Sequence, residues 1–154
     1  MTIEAGSKVP AFKAMTADGP ITHKDLKGQT TILYFYPKDD TPGCTTEACG
    51  FRDNLPKFTR AKARVYGVSK DSLARHEKFA TKYELPFTLI SDEDGSMCDS
   101  FGTWIEKSLY GRKYMGIDRA TFLIDSDGVI QQVWRKVKVA GHVDEVLDAA
   151  KKIK

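Results

Sequence analysis

The apolar residues of the chain fall into blocks with two different periods. "TTILYFYP", residues 30–37, is an unbroken apolar and aromatic run closed by Pro37. Such a run, with no polar alternation, predicts a central strand covered on both faces. "ARVYGVS" (63–69) and "PFTLIS" (86–91) have the same character. Between them, in "DSLARHEKFATKYEL", Leu73, His76, Phe79, Ala80 and Tyr83 recur at helical spacing. Asp71 or Ser72 can cap that helix, and Pro86 lies just past its end. Strand, helix, strand in this order implies a right-handed parallel crossover.

Further on, "ATFLIDSDGVIQQVWRKV" sets two strand-like runs on either side of the turn signal "DSDG", which predicts an antiparallel hairpin. "AGHVDEVLDAAKKI" predicts a closing helix with Val143, Val146, Leu147, Ala150 and Ile153 on one side. The stretch "GSMCDSFGTWIEKSLYGRKYMGI" (95–117) reads as one helical turn and then a long loop carrying Trp104, Tyr110 and Tyr114. Together these elements predict a mixed sheet with helices on both faces. That is a three-layer α/β sandwich, in a single domain over residues 1–154.

A chain of 154 residues can build a true core without a disulfide or a structural metal. Hydrophobic residues make up 41% and charged residues 29%, a soluble globular balance. The formal charge of +3, from 24 basic and 21 acidic side chains, is too small to argue for nucleic acid. The opening "MTIEAGSKVP" lacks the features of a signal peptide, and no apolar stretch reaches bilayer length. The expected location is the cytoplasm. Three cysteines, an odd number, argue against a static disulfide framework. In a reducing compartment, neighbouring thiols point to redox or metal chemistry.

Two of the three thiols stand in "TPGCTTEACG", residues 41–50, directly after the first central strand. Thr41 suits an N-cap and Pro42 the first helical position. Cys44 then falls in the first turn, where backbone N–H groups lack partners and a thiolate is favoured by those donors and by the helix dipole. Cys49 lies five residues on; in ideal helix the two Cα atoms stand about 8.7 Å apart. A disulfide wants less than about 7 Å, so the pair can bond only if the helix unwinds locally. Two buried structural cysteines, or a zinc or iron–sulfur site, are the competing explanations. A metal site is poorly served, because only Cys98 and three scattered histidines remain as soft ligands. The C-x-x-x-x-C spacing also differs from the C-x-x-C of a thioredoxin-type dithiol.

"YFYPKDDTPGCTTEACGFRD" resembles the active-site segment of the peroxiredoxins, and closely that of their bacterioferritin-comigratory or Q-type branch. The superfamily pattern Pro-x-x-x-Thr/Ser-x-x-Cys is met by Pro37, Thr41 and Cys44. "GSKVPAFKA", "YGVSKDS", "LPFTLISDEDG", "FGTWIEKSLYGRKYMGIDRATFLID" and "KVKVAGHVDEVL" extend the likeness over almost the whole chain.

This resemblance implies a thioredoxin-like fold with an N-terminal extension. It also implies reduction of hydrogen peroxide and organic hydroperoxides. By it, Cys44 is the peroxidatic cysteine and Thr41 the hydroxyl residue that bonds thiolate and peroxide. Pro37 and Pro42 shape the pocket, and Arg119 is the distant cation that supports the thiolate. Cys49 is the resolving cysteine, and the resulting disulfide is reduced by thioredoxin or a related dithiol. No metal or organic cofactor is implied, and the branch is often monomeric.

Several neighbours carry weaker expectations. Cys98 reads as a packing residue, and His23, His76 and His142 as surface or partly buried hydrogen-bonding groups. Asp39, Asp40, Glu47 and Arg52 either tune the field of the site or solvate the surface, with the resemblance favouring Glu47 and Arg52. Phe101 and Trp104 either line an apolar wall or anchor a loop. A general thiol–disulfide oxidoreductase and a redox-sensing or chaperone-like protein are the competing functions.

Overall fold

A computed structural model describes residues 3–153 of the chain. An N-terminal hairpin of β1 (Lys13–Thr16) and β2 (Gly19–Thr22) precedes the first central strand, β3 (Thr30–Phe35). Helix α1 (Pro42–Arg60), β4 (Ala63–Ser69), α2 (Leu73–Lys82) and β5 (Thr88–Ser91) follow. After the short α3 (Ser96–Ser100) come β6 (Trp104–Leu109), β7 (Arg112–Ile117), β8 (Ala120–Ile124), β9 (Ile130–Trp134) and α4 (His142–Lys151).

Seven strands form one sheet in the order β2-β1-β5-β4-β3-β8-β9. β3, β4 and β5 run parallel, whereas β8 and β1 join them antiparallel. The parallel trio is where the apolar runs are unbroken, because both faces are covered. On β3, Ile32 and Tyr34 join Phe51 and Phe58 of α1, Phe79 of α2 and Val146 of α4 on one face. Leu33 and Phe35 point the other way, to Met97, Cys98 and Phe101 of the α3 region. Tyr34 stacks on Phe51 with ring centroids 4.6 Å apart. Gly67 of β4 makes room for that tyrosine: a Cβ there would lie 2.8 Å from its ring. Helices on both faces of a mixed sheet, with an N-terminal hairpin, give the thioredoxin-like sandwich that the sequence predicts.

Two local expectations differ from the structure. Residues 104–117 do not form a long loop. They form the two-stranded hairpin β6–β7, in register from Trp104↔Ile117 to Leu109↔Arg112. The hairpin stands apart from the main sheet, and Tyr110, Tyr114 and Met115 are exposed on it. It therefore lacks the buried face that makes a strand visible as alternation. His76 and His142 make side-chain hydrogen bonds as expected, but they are core residues, more deeply placed than the surface or partly buried positions expected. Of the two readings of Asp39 and Glu47, surface solvation is excluded, since both are buried. Among the described residues no helix is long and apolar enough to cross a membrane.

Candidate active site

The loop leaving β3 runs through exposed Pro37 and turns into α1 at Thr41. Thr41 is the N-cap with extended backbone angles, φ −98° and ψ 154°. Its carbonyl accepts the first helical bond, from Thr45 N at 2.8 Å. Its hydroxyl does not cap the helix; it donates to the Lys38 carbonyl at 2.9 Å. That bond uses the only hydroxyl proton and leaves the oxygen's lone pairs free to accept. Pro42 then starts the helix without an N–H to satisfy. The N–H groups of Gly43 and Cys44 fall in the first turn, where no carbonyl lies a full turn behind them.

Cys44 is buried, with 1% of its surface exposed. Its sulfur accepts a hydrogen bond from Arg119 Nη2 at 3.2 Å. Arg119 enters from the short link between β7 and β8, seventy-five positions away in sequence. The approach needs Gly43, since a Cβ at that position would stand 3.3 Å from Nη2. The other arm of the guanidinium, Nη1, donates to Glu47 Oε1 at 2.8 Å. One planar cation thus ties two residues of α1 that lie one turn apart, a geometry that suits arginine and not lysine.

Glu47 is fully buried, and its second oxygen has no hydrogen-bond partner among the described residues. Burial pushes its carboxyl up to about 7, against the opposing pull of Arg119. Burial works against the Arg119 charge as well, but Glu47 and Cys44 outweigh it and hold the guanidinium above its ordinary value. The raised Glu47 value fixes the sign of a stability effect. The folded state holds the proton between the ordinary value near 4.5 and about 7, while the unfolded chain has released it. Stability from this group is therefore present below about 4.5 and is lost as pH rises through 7. Glu47→Gln removes the titration. Relative to the native protein, the variant is expected to gain stability across that window, by up to roughly 3 kcal/mol, and to level off above it. Paired urea melts at a series of pH values read the difference, in which all other titrations cancel. A flat difference would contradict the raised value.

Cys49 is half-buried on the same helix, and all three thiols are unbonded. Cys98 is fully buried on the other side of the sheet. Burial, and then the neighbouring Asp92 carboxylate, push its thiol well above the ordinary range. Phe101 is buried in the core around it, and half-buried Trp104 packs at the edge of that core under the ammonium of Lys70, 4.1 Å from its ring centroid. Both belong to the core on the opposite face of the sheet from that of Cys44.

Of the predicted site residues, the structure brings together Cys44 and Arg119, with Thr41 at the helix entry. Pro37 and Cys49 flank Thr41 and Cys44 along the chain. Glu47 is a site residue whose partner could not be read from sequence, although its i+3 spacing from Cys44 puts both on one helix face. The other unforeseen feature is a buried network at the loop itself. Asp39 accepts from the Tyr36 hydroxyl at 2.5 Å and pairs with His76 Nδ1 at 2.6 Å, and its backbone N–H donates to Asp71 at 2.8 Å. Asp39, Asp71 and His76 also have the proximity of metal ligands. Their donor atoms, however, are already turned toward one another and toward Ser69, Tyr36 and the Ile90 carbonyl.

Residues 5–133 match the AhpC/TSA family. A putative peroxiredoxin bcp of Coxiella burnetii is 55% identical over 148 residues, covering 96% of this chain and 98% of the relative. Peroxiredoxin Bcp of Bacillus subtilis is 47% identical over 152 residues, covering 98% and 97%. Among solved structures, a PrxQ cysteine-to-serine mutant of Xylella fastidiosa superposes with a TM-score of 0.91 at 38% identity, covering 98% of this chain and 97% of that one. Peroxiredoxin Q of Xanthomonas campestris gives 0.86 at 45% identity, covering 91% and 89%.

Proposed function

The chain belongs to the AhpC/TSA family, in its bacterioferritin-comigratory or Q-type peroxiredoxin branch, and on that premise we propose a mechanism in which Cys44 reduces peroxides and Cys49 resolves the product. The observation that carries it is the hydrogen bond from Arg119 to the Cys44 sulfur at a helix start. The thiolate attacks the distal oxygen of hydrogen peroxide or an organic hydroperoxide. The O–O electron pair passes to the proximal oxygen, which takes a proton and leaves as water or an alcohol. Cys44 is thereby oxidised by two electrons to a sulfenic acid. Arg119 donates to the sulfur and to the oxygen gaining charge, and the Thr41 lone pairs accept the peroxide O–H. Pro37 turns the chain from β3 into the loop and forms part of the rim.

The sulfenic acid then condenses with the Cys49 thiol. The S–O bond breaks, an S–S bond forms, and water leaves. Both cysteines belong to the continuous helix α1, so the segment between them must first unwind. Thioredoxin or a related dithiol returns the pair to thiols. The cycle needs no metal, no organic cofactor and no second copy of the chain, and it suits the reducing cytoplasm.

Cys49→Ser is the discriminating variant. It is expected to keep the first attack on peroxide, to accumulate the Cys44 sulfenic acid, and to over-oxidise more readily. Turnover coupled to thioredoxin should fall by at least about tenfold, because the thiol held nearby is gone. Non-reducing peptide mapping of the oxidised native protein reads the linkage directly. A dominant bond from Cys44 to Cys98, or a bond between two chains, would overturn the assignment of Cys49.

A further inference from the structure

The loop that delivers Cys44 is held by α2 at two separate points. The inner point is buried. Both oxygens of Asp39 are occupied, by Tyr36 and by His76, and its N–H is taken by Asp71 at the entrance to α2. His76 Nε2 lies 2.9 Å from the Ile90 carbonyl, which can only accept, so Nε2 carries a proton. The 2.6 Å contact between Nδ1 and Asp39 needs a second proton between them.

The outer point is at the surface. Asp40 has φ +60°, a left-handed conformation that costs a non-glycine residue energy. It is kept there by two bonds from the last turn and cap of α2. Lys82 Nζ donates to Oδ2 at 2.8 Å and the Tyr83 hydroxyl donates to Oδ1 at 2.8 Å. The Lys82 bond first, and then that of Tyr83, hold the Asp40 carboxyl below its ordinary range. The Tyr83 carbonyl in turn accepts from Arg52 Nη1 at 2.7 Å. The end of α2 thus grips the chain just before Thr41 and again just after Cys49. The gripped segment is the one that must unwind for the disulfide proposed above.

We propose that Asp40, Lys82 and Tyr83 are positioning residues, which hold the start of α1 wound and thereby set how the Cys44 sulfenic acid is divided between two fates. The first is condensation with Cys49, which releases water and requires unwinding. The second is attack on another peroxide molecule, which adds an oxygen to the sulfur, breaks the O–O bond and leaves sulfinic acid and water or an alcohol. A tighter grip favours the second fate. This inference rests on the Cys44–Cys49 reading.

The test uses the full chain and two surface variants. The double variant Lys82→Met with Tyr83→Phe frees Asp40 while keeping the edge-on packing of residue 83 against Phe79. Asp40→Asn tolerates the left-handed conformation and weakens only the charge. Intact-mass analysis after a hydrogen peroxide series gives the ratio of disulfide to sulfinic acid, and stopped-flow oxidation gives the first step. In the double variant the peroxide concentration producing half sulfinic acid is expected to rise roughly three- to tenfold, as for the loss of one exposed ion pair and one hydrogen bond. Asp40→Asn should fall between it and the native protein, with the first oxidation rate unchanged in both. An unchanged ratio in the double variant, with the disulfide formed normally in the native protein, would overturn the grip alone. Failure of the native protein to form the Cys44–Cys49 bond would overturn the disulfide reading and the grip with it.

Discussion

Cys44→Ser is expected to reduce peroxide turnover to the rate seen without protein, while the fold persists. Nothing else in the chain can replace this sulfur. Cys98 lies in the opposite core layer beside a carboxylate, with its thiol pushed well up by burial and by Asp92, so it is held as an unreactive thiol. Cys49 lacks the bond from Arg119. The serine hydroxyl is a poor nucleophile toward peroxide oxygen, even with every other group in place. The fold should tolerate the change. Serine is close in size, and its oxygen can accept the Arg119 N–H that the sulfur accepts now. The expected cost is about 1 kcal/mol, far less than a core truncation. Peroxide consumption and a thermal melt on the same sample check both halves. Substantial turnover in a verified C44S protein would remove Cys44 from the mechanism.

Arg119→Met is expected to slow Cys44 oxidation at neutral pH by about a hundred- to a thousandfold, the usual cost of removing one donor from a developing anion. The variant removes the only cation bonded to the sulfur among the described residues and strips Glu47 of its partner. The two losses have different signatures. A carboxyl left buried without a cation takes up a proton, and that neutralisation limits the damage to stability. The damage to the rate has no such relief, since the charge was needed at the sulfur. Arg119→Lys should recover only part of the rate, because one ammonium cannot donate to both Cys44 and Glu47 in the geometry of the guanidinium. An oxidation rate in Arg119→Met equal to that of the native protein would rule out the role.

What the sequence disclosed depended on how each residue is partnered. Strands β3, β4 and β5 were legible because they are covered on both faces, so their apolar runs are unbroken. Helices α2 and α4 were legible because each buries a single stripe. Hairpin β6–β7 was not: its two strands pair mainly with each other, and its outward tyrosines and methionine give no period to read. The short β1–β2 hairpin offers only four residues per strand. Cys44 and Arg119 could be found by resemblance, and the helix start from its capping residues, Thr41 and Pro42. Glu47 and Asp39 could not be recognised as buried, because a carboxylate is expected at the surface unless its partner is known. Those partners, Arg119 and His76, lie 72 and 37 positions away, a distance that no local pattern spans.

Gly50, the residue after Cys49, lies so close to α4 that a Cβ there would stand 3.0 Å from Val143 Cγ2, and Phe51 beside it is fully buried. Helix α1 is therefore fastened from this point onward, whatever its first two turns do. In the proposed cycle this makes Cys49 the fixed end of a short tether and Cys44 the moving one. A tether of five residues keeps the two sulfurs at an effective concentration of about millimolar or above. A free thiol in solution must exceed that level before it intercepts the sulfenic acid. In that cycle the contact between a glycine and a valine of α4 would thus act by confinement rather than by chemistry, making the first partner that Cys44 meets one of its own chain.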